Sequence, residues 1–123
     1  MPANTSPIFT LTPDIQWAIT MTALNTTKDL TSGTIYLVFT AGANGGYVQR
    51  IRFRTLGTNA AATVARVWIN NGSATGTAAN NVLWDEITLP TTTVSEVSAQ
   101  ANYELPLNFA LPPSYRIYVT LGT

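Results

Sequence analysis

A chain of 123 residues suits one domain with one core, and its 46% hydrophobic content is enough to fill that core. Charged residues make up only 10%, far below the usual quarter, and the formal net charge is zero. No long-range field therefore draws the chain to nucleic acid or to an anionic membrane, and its surface is covered instead by Thr, Asn, Ser, Ala and Gly.

The sequence has no cysteine, which excludes disulfides, thiolate metal sites and thiol nucleophiles. It also has no histidine, which removes the commonest general base and the commonest transition-metal ligand. The first residues show no basic region followed by an apolar run, so no secretory signal is expected there. No apolar segment approaches the roughly 20 residues that span a bilayer. The expectation is a soluble protein made in a cytoplasm, with neither cofactor nor metal.

Residues 1–13 carry Pro2, Pro7 and Pro13, with Ile8, Phe9 and Leu11 between them. That density of proline forbids a helix and favours an extended arm. The arm either packs on the sheet edge of its own domain or reaches a neighbouring subunit with Phe9 as its anchor. Residues 14–123 form the predicted β domain. In 14–24, Ile15, Trp17, Ile19, Met21 and Ala23 alternate with Gln16, Ala18, Thr20 and Thr22, which predicts a strand with Trp17 facing the core. Residues 25–33 are turn text, and 34–41 are apolar on both faces, as in a strand central to a sheet or lying under a second protein.

Residues 47–56 and 64–70 alternate with period two on either side of a small, polar stretch, and the spacing predicts an antiparallel hairpin. With Arg54 opposite Arg66, one face carries Ile51, Phe53, Ala65, Val67 and Ile69. The other carries Arg50, Arg52, Arg54 and Arg66 with Trp68 among them. Residues 70–81 show no periodicity and read as an exposed loop. The strand at 82–89 brings Asp85 to the core face unless a bulge rotates it partway. A polar connection follows, then a strand at 102–110 that Pro106 places at an edge, and a last strand at 114–121. The fold class is all-β: a single-domain antiparallel β-sandwich of seven or eight strands. Jelly-roll-like and immunoglobulin-like winding are both open on the residues, and a jelly-roll-like arrangement is the expectation adopted.

The remaining acid–base chemistry is carboxylate. A glycosidase needs two carboxyl groups across a cleft at roughly 5 to 9.5 Å. Asp85 and Glu86 are adjacent on a strand and point to opposite faces, while Glu96 and Glu104 lie apart on or near a polar connection. No acidic loop offers a calcium ligand set. The expectation is a protein that is not an enzyme. Three readings fit the arginine face: pairing with Glu86 and Glu104 on neighbouring strands, stacking on Trp68 or Trp84, or an interface with another protein. The candidate interface residues are accordingly Phe9, Arg50, Arg52, Arg54, Arg66 and Trp68.

From about Gly46 onward the text carries a resemblance. The stretches Val-Gln-Arg-Ile-Arg-Phe-Arg-Thr-Leu-Gly-Thr-Asn (48–59), Ala-Arg-Val-Trp-Ile-Asn-Asn-Gly (65–72), Leu-Trp-Asp-Glu-Ile-Thr-Leu-Pro (83–90) and Leu-Asn-Phe-Ala-Leu-Pro-Pro-Ser-Tyr-Arg-Ile-Tyr-Val-Thr-Leu-Gly-Thr (107–123) resemble small virion proteins of tailed bacteriophages. The chain looks most like the β-sandwich proteins that decorate or cement phage heads. The resemblance rests on strand and turn text and carries over no individual functional residue. It implies a homo-oligomer, commonly a trimer, seated on the capsid surface of a virion with the major capsid protein as partner. The alternative is a receptor- or glycan-binding module of a phage tail or head fibre, for which outward-facing Trp68 and Trp84 would supply stacking surfaces.

Overall fold

The structure is a computed structural model describing residues 14–59 and 61–122. The extended arm expected at 1–13, with Phe9, lies outside the described residues. Six strands are present: β1 (Tyr36–Thr40), β2 (Gly46–Arg54), β3 (Thr63–Asn70), β4 (Asn81–Leu89), β5 (Asn102–Leu111) and β6 (Arg116–Leu121). A single 3-10 turn, Ala78–Asn80, is the sole helical element among the described residues. The strands form two antiparallel sheets, one of four strands in the order β1-β6-β3-β4 and one of two, β2-β5. The described residues thus hold six strands where seven or eight were expected.

The expected β2–β3 hairpin does not form. β2 pairs instead with β5, so that Arg52 opposes Glu104 and Arg54 opposes Asn102. β3 pairs with β4 and β6, which sets Arg66 beside Glu86 and Thr120. A period of two fixes which residues of a strand share a face, but it does not choose the neighbouring strand. The juxtaposition of Arg54 with Arg66, and its repulsion, is removed by this topology.

β3 is the buried centre of the larger sheet. Ala65 and Val67 on one face and Trp68 and Asn70 on the other are all inaccessible. Of the two readings of 34–41, a strand central to a sheet or one lying under a second protein, the first is corrected: β1 lies at the sheet's edge, with Leu37 exposed. Its Tyr36 is nonetheless buried, and the hydroxyl is satisfied by accepting the main-chain N–H groups of Thr22 and Ala23 at 3.0 and 2.9 Å. Of the two alternatives for 82–89, Asp85 on the core face or a bulge, the bulge is present: the β3–β4 register shifts between Val67 and Trp68, and Asp85 remains exposed. A second irregularity lies between Val48 and Arg50 opposite β5, where Asn108 takes a left-handed φ of 49°.

One hydrophobic cluster joins the two sheets. Ile51, Phe53, Leu107 and Leu111 come from the smaller sheet, and Ala65, Val67, Leu89, Ile117, Val119 and Leu121 from the larger. Trp84 of β4 stacks on Phe109 of β5, with ring centroids 5.0 Å apart and planes inclined at 38°, so the sheets also touch at that side.

Candidate interaction surface

Residues 14–24 carry the alternation of a strand but join no sheet among the described residues. Among the described residues, their strand-like pairing is a single parallel bridge from Leu24 to Leu121, followed by the bond from the Asn25 N–H to the Leu121 carbonyl at 2.7 Å. Further up, a side chain replaces a ladder. The Gln16 carboxamide accepts the Thr40 N–H at 2.8 Å and donates to the Thr40 carbonyl at 3.1 Å, docking on the end of β1 as a neighbouring peptide would. Gln16 also donates to Asp14 at 2.7 Å. The segment is therefore tied to the β1 side of the molecule at both ends while its own backbone stays largely unpaired.

The apolar face of this segment is uncovered. Ile15, Trp17 and Ile19 are 82%, 79% and 78% exposed, and only Met21 reaches the core cluster. The expectation that Trp17 is a core residue is thus corrected: the patterning is strand-like, but none of the described residues buries the face it defines. Between this segment and β2 runs an open groove of about 1710 Å³. Its lining includes Ile51, Phe53, Leu107 and Ile117, residues that also build the core. Sites for small ligands typically enclose about 300 to 1,000 Å³. This one is longer and more open.

The arginines separate into two groups. On the smaller sheet, Glu104 sits between two of them, with Arg52 Nη2 at 2.6 Å and Arg50 Nη1 at 3.4 Å. Arg54 donates to the Asn102 side chain at 3.0 Å and forms no ion pair among the described residues. On the larger sheet, Arg66 is only 12% exposed at its side chain and pairs with Glu86 through Nε at 3.1 Å. Its Nη1 is buried without a hydrogen-bond partner. The four residues do not share one face, although each of Arg50, Arg52 and Arg66 has an intrachain carboxylate. These pairs, mostly exposed, contribute about 0 to 1 kcal/mol each.

Trp68 lies where no partner can reach it. The register expectation that it faces outward is overturned by its 1% exposure, and its indole N–H donates to Thr120 Oγ1 at 3.0 Å. Outward on the strand is therefore not outward on the molecule. Trp84 is half exposed and stacked on Phe109. The 70–81 loop spends its polar groups on itself. Asn70 donates to Asn81 Oδ1 at 2.8 Å and accepts the Gly72 N–H at 2.9 Å, while Asn81 donates to the Thr75 carbonyl at 2.8 Å.

No group of three or more acidic side chains capable of holding a metal ion occurs among the described residues. Glu86 and Glu104 are each engaged by arginine, and Asp85 accepts the N–H of Glu86 at 2.7 Å. The surface that sequence reasoning missed is the groove and the row beside it. Its signal was present in the alternation of residues 14–24, which marks an apolar face without saying what buries it. No family model matches the chain, and comparison with curated proteins and with solved structures likewise found no match.

Proposed function

We propose that the chain is a structural, non-enzymatic protein of a bacteriophage virion that binds the capsid shell as a decoration protein. The observation that carries the reading is the uncovered row Ile15, Trp17 and Ile19 beside a groove walled by core residues. Contiguous exposed apolar surface on this scale marks a protein–protein contact. The low charge of the surface favours wide contact with other chains, and the strand and turn text of 46–123 resembles virion decoration proteins. A protein that binds only the assembled shell stabilises it by mass action.

The finer fold we infer is a jelly-roll-like sandwich left incomplete on one side. At about 4.8 Å per strand, a four-stranded sheet is roughly 19 Å wide and a two-stranded one roughly 10 Å. The smaller sheet touches the larger at the β4 side through Trp84 and Phe109, which leaves the shortfall at the β1 side, where the groove lies. The half-exposed Trp84 offers one stacking surface to a sugar, which is what supports the alternative of a glycan-binding fibre module.

Co-sedimentation with expanded capsid shells lacking any decoration protein tests the reading. Saturable binding at micromolar concentration, with raised thermal stability of the shells, is the expected result. Absence of binding, together with retention on a glycan array, would transfer the assignment to the fibre module.

A further inference from the structure

We propose that the groove is the acceptor for residues 14–24 of a second copy of this chain, which adds as a strand to the free edge of β2. The inference rests on the incomplete-sandwich reading above and names what completes it.

Three observations converge on that occupant. First, among the described residues β2 pairs only with β5, so that its other edge, nine residues long, is left without a ladder there. Residues 14–24 have the converse problem, a strand-patterned segment with almost no ladder partners among the described residues. Strand addition satisfies both sets of groups at once, whereas an exposed edge left alone is an aggregation hazard.

Second, the side chains match in one direction. With Asp14 antiparallel to Arg54, Ile15 falls opposite Phe53, and Trp17 opposite Ile51. The row that is exposed in one copy then covers the core residues that line the groove in the other. The same register sets the segment's one charge against Arg54, the member of the β2 row that has no ion pair among the described residues.

Third, the segment cannot simply fold onto its own β2. Gln16 holds it to Thr40 of β1, and Asn25 holds it to Leu121 of β6, both in the larger sheet. The vacancy of about two strand widths accommodates the resident segment and one incoming segment. Reciprocal exchange doubles the contact. Three large side chains, at roughly 150 to 250 Å² for the aromatic one, give several hundred Å² per copy. Counted on both partners and both segments, this reaches the roughly 1,000 Å² that a specific interface needs.

The absence of native cysteine makes the test direct. Asp14→Cys and Arg54→Cys are prepared as separate proteins and mixed under mild oxidation, without capsids. The expected product is a disulfide-linked pair containing one of each, in clear excess over either self-linked species. Light scattering should show the unmodified protein as an oligomer at tens of micromolar. Trp17→Asp should be a monomer that still unfolds cooperatively, since that side chain is exposed in the single chain, with a melting temperature equal to that of the unmodified protein diluted until it dissociates. An unmodified protein that stays monomeric overturns the proposal. So does an internal disulfide in a monomeric Asp14→Cys, Arg54→Cys double variant, which would mean that the segment closes its own groove. A monomer that still binds capsids defeats the strand exchange alone, and an oligomer that ignores capsids defeats the decoration reading alone.

Discussion

The indole N–H of Trp68 donates to the hydroxyl of Thr120 across 3.0 Å, from the middle of β3 to the neighbouring β6, with both residues fully buried. Thr120→Val keeps the shape of that site but strands the indole donor away from water. The expected cost is about 1 to 3 kcal/mol, the desolvation penalty of an unsatisfied buried group. Combining it with Trp68→Phe, which removes the donor, should recover part of the hydrogen-bond cost. Denaturant melts of the two single variants and the double variant give that coupling directly.

Phe53 and Ile117 belong to the two sheets and meet in one core. Phe53→Ala and Ile117→Ala should each lower stability by about 2 to 5 kcal/mol, as truncations of buried large side chains do. Thermal melts check it. An unchanged midpoint in both would mean that the two sheets do not share a core.

Gly45 closes the turn before β2 at a φ of +80°, and a β-carbon there would lie 2.6 Å from the Leu111 carbonyl oxygen. Gly45→Ala therefore meets both a left-handed backbone penalty of about 1 to 2 kcal/mol and a clash with main chain that has little room to move. The variant should melt well below the parent. Gly42→Ala, where no atom lies near the added carbon, serves as the control.

Asp29 accepts hydrogen bonds from the Thr31 hydroxyl at 2.7 Å and the Thr31 N–H at 3.0 Å, and the side-chain bond is the main reason its carboxyl titrates below the ordinary 3.8. A depressed folded value means that the ionised form is favoured by folding. The contribution is complete above pH 3.8 and is lost as pH falls through the lower folded value. The Thr31 amide resonance should follow that titration, with a midpoint below 3.8 that moves no other turn of the molecule. A midpoint at or above 3.8 would show that the two bonds do not persist in solution.

The alternation of apolar and polar residues determined that this chain is all-β, placed every strand seen here within a few residues of its position, and left 82–89 with a choice between a core-facing Asp85 and a bulge. The absence of histidine and cysteine and the scatter of the acids were also plain in the text. Pairing was not. β2 joins β5 across some fifty intervening residues and not the adjacent β3, because a long loop adds little entropic cost and contacts far apart in sequence decide the sheet. Burial of the tryptophans was equally hidden. Trp17 and Trp68 lie on similar alternating stretches, yet one is exposed and the other sealed. Periodicity defines a face relative to its own backbone, and only the neighbouring strands decide whether that face meets water, the core or another chain.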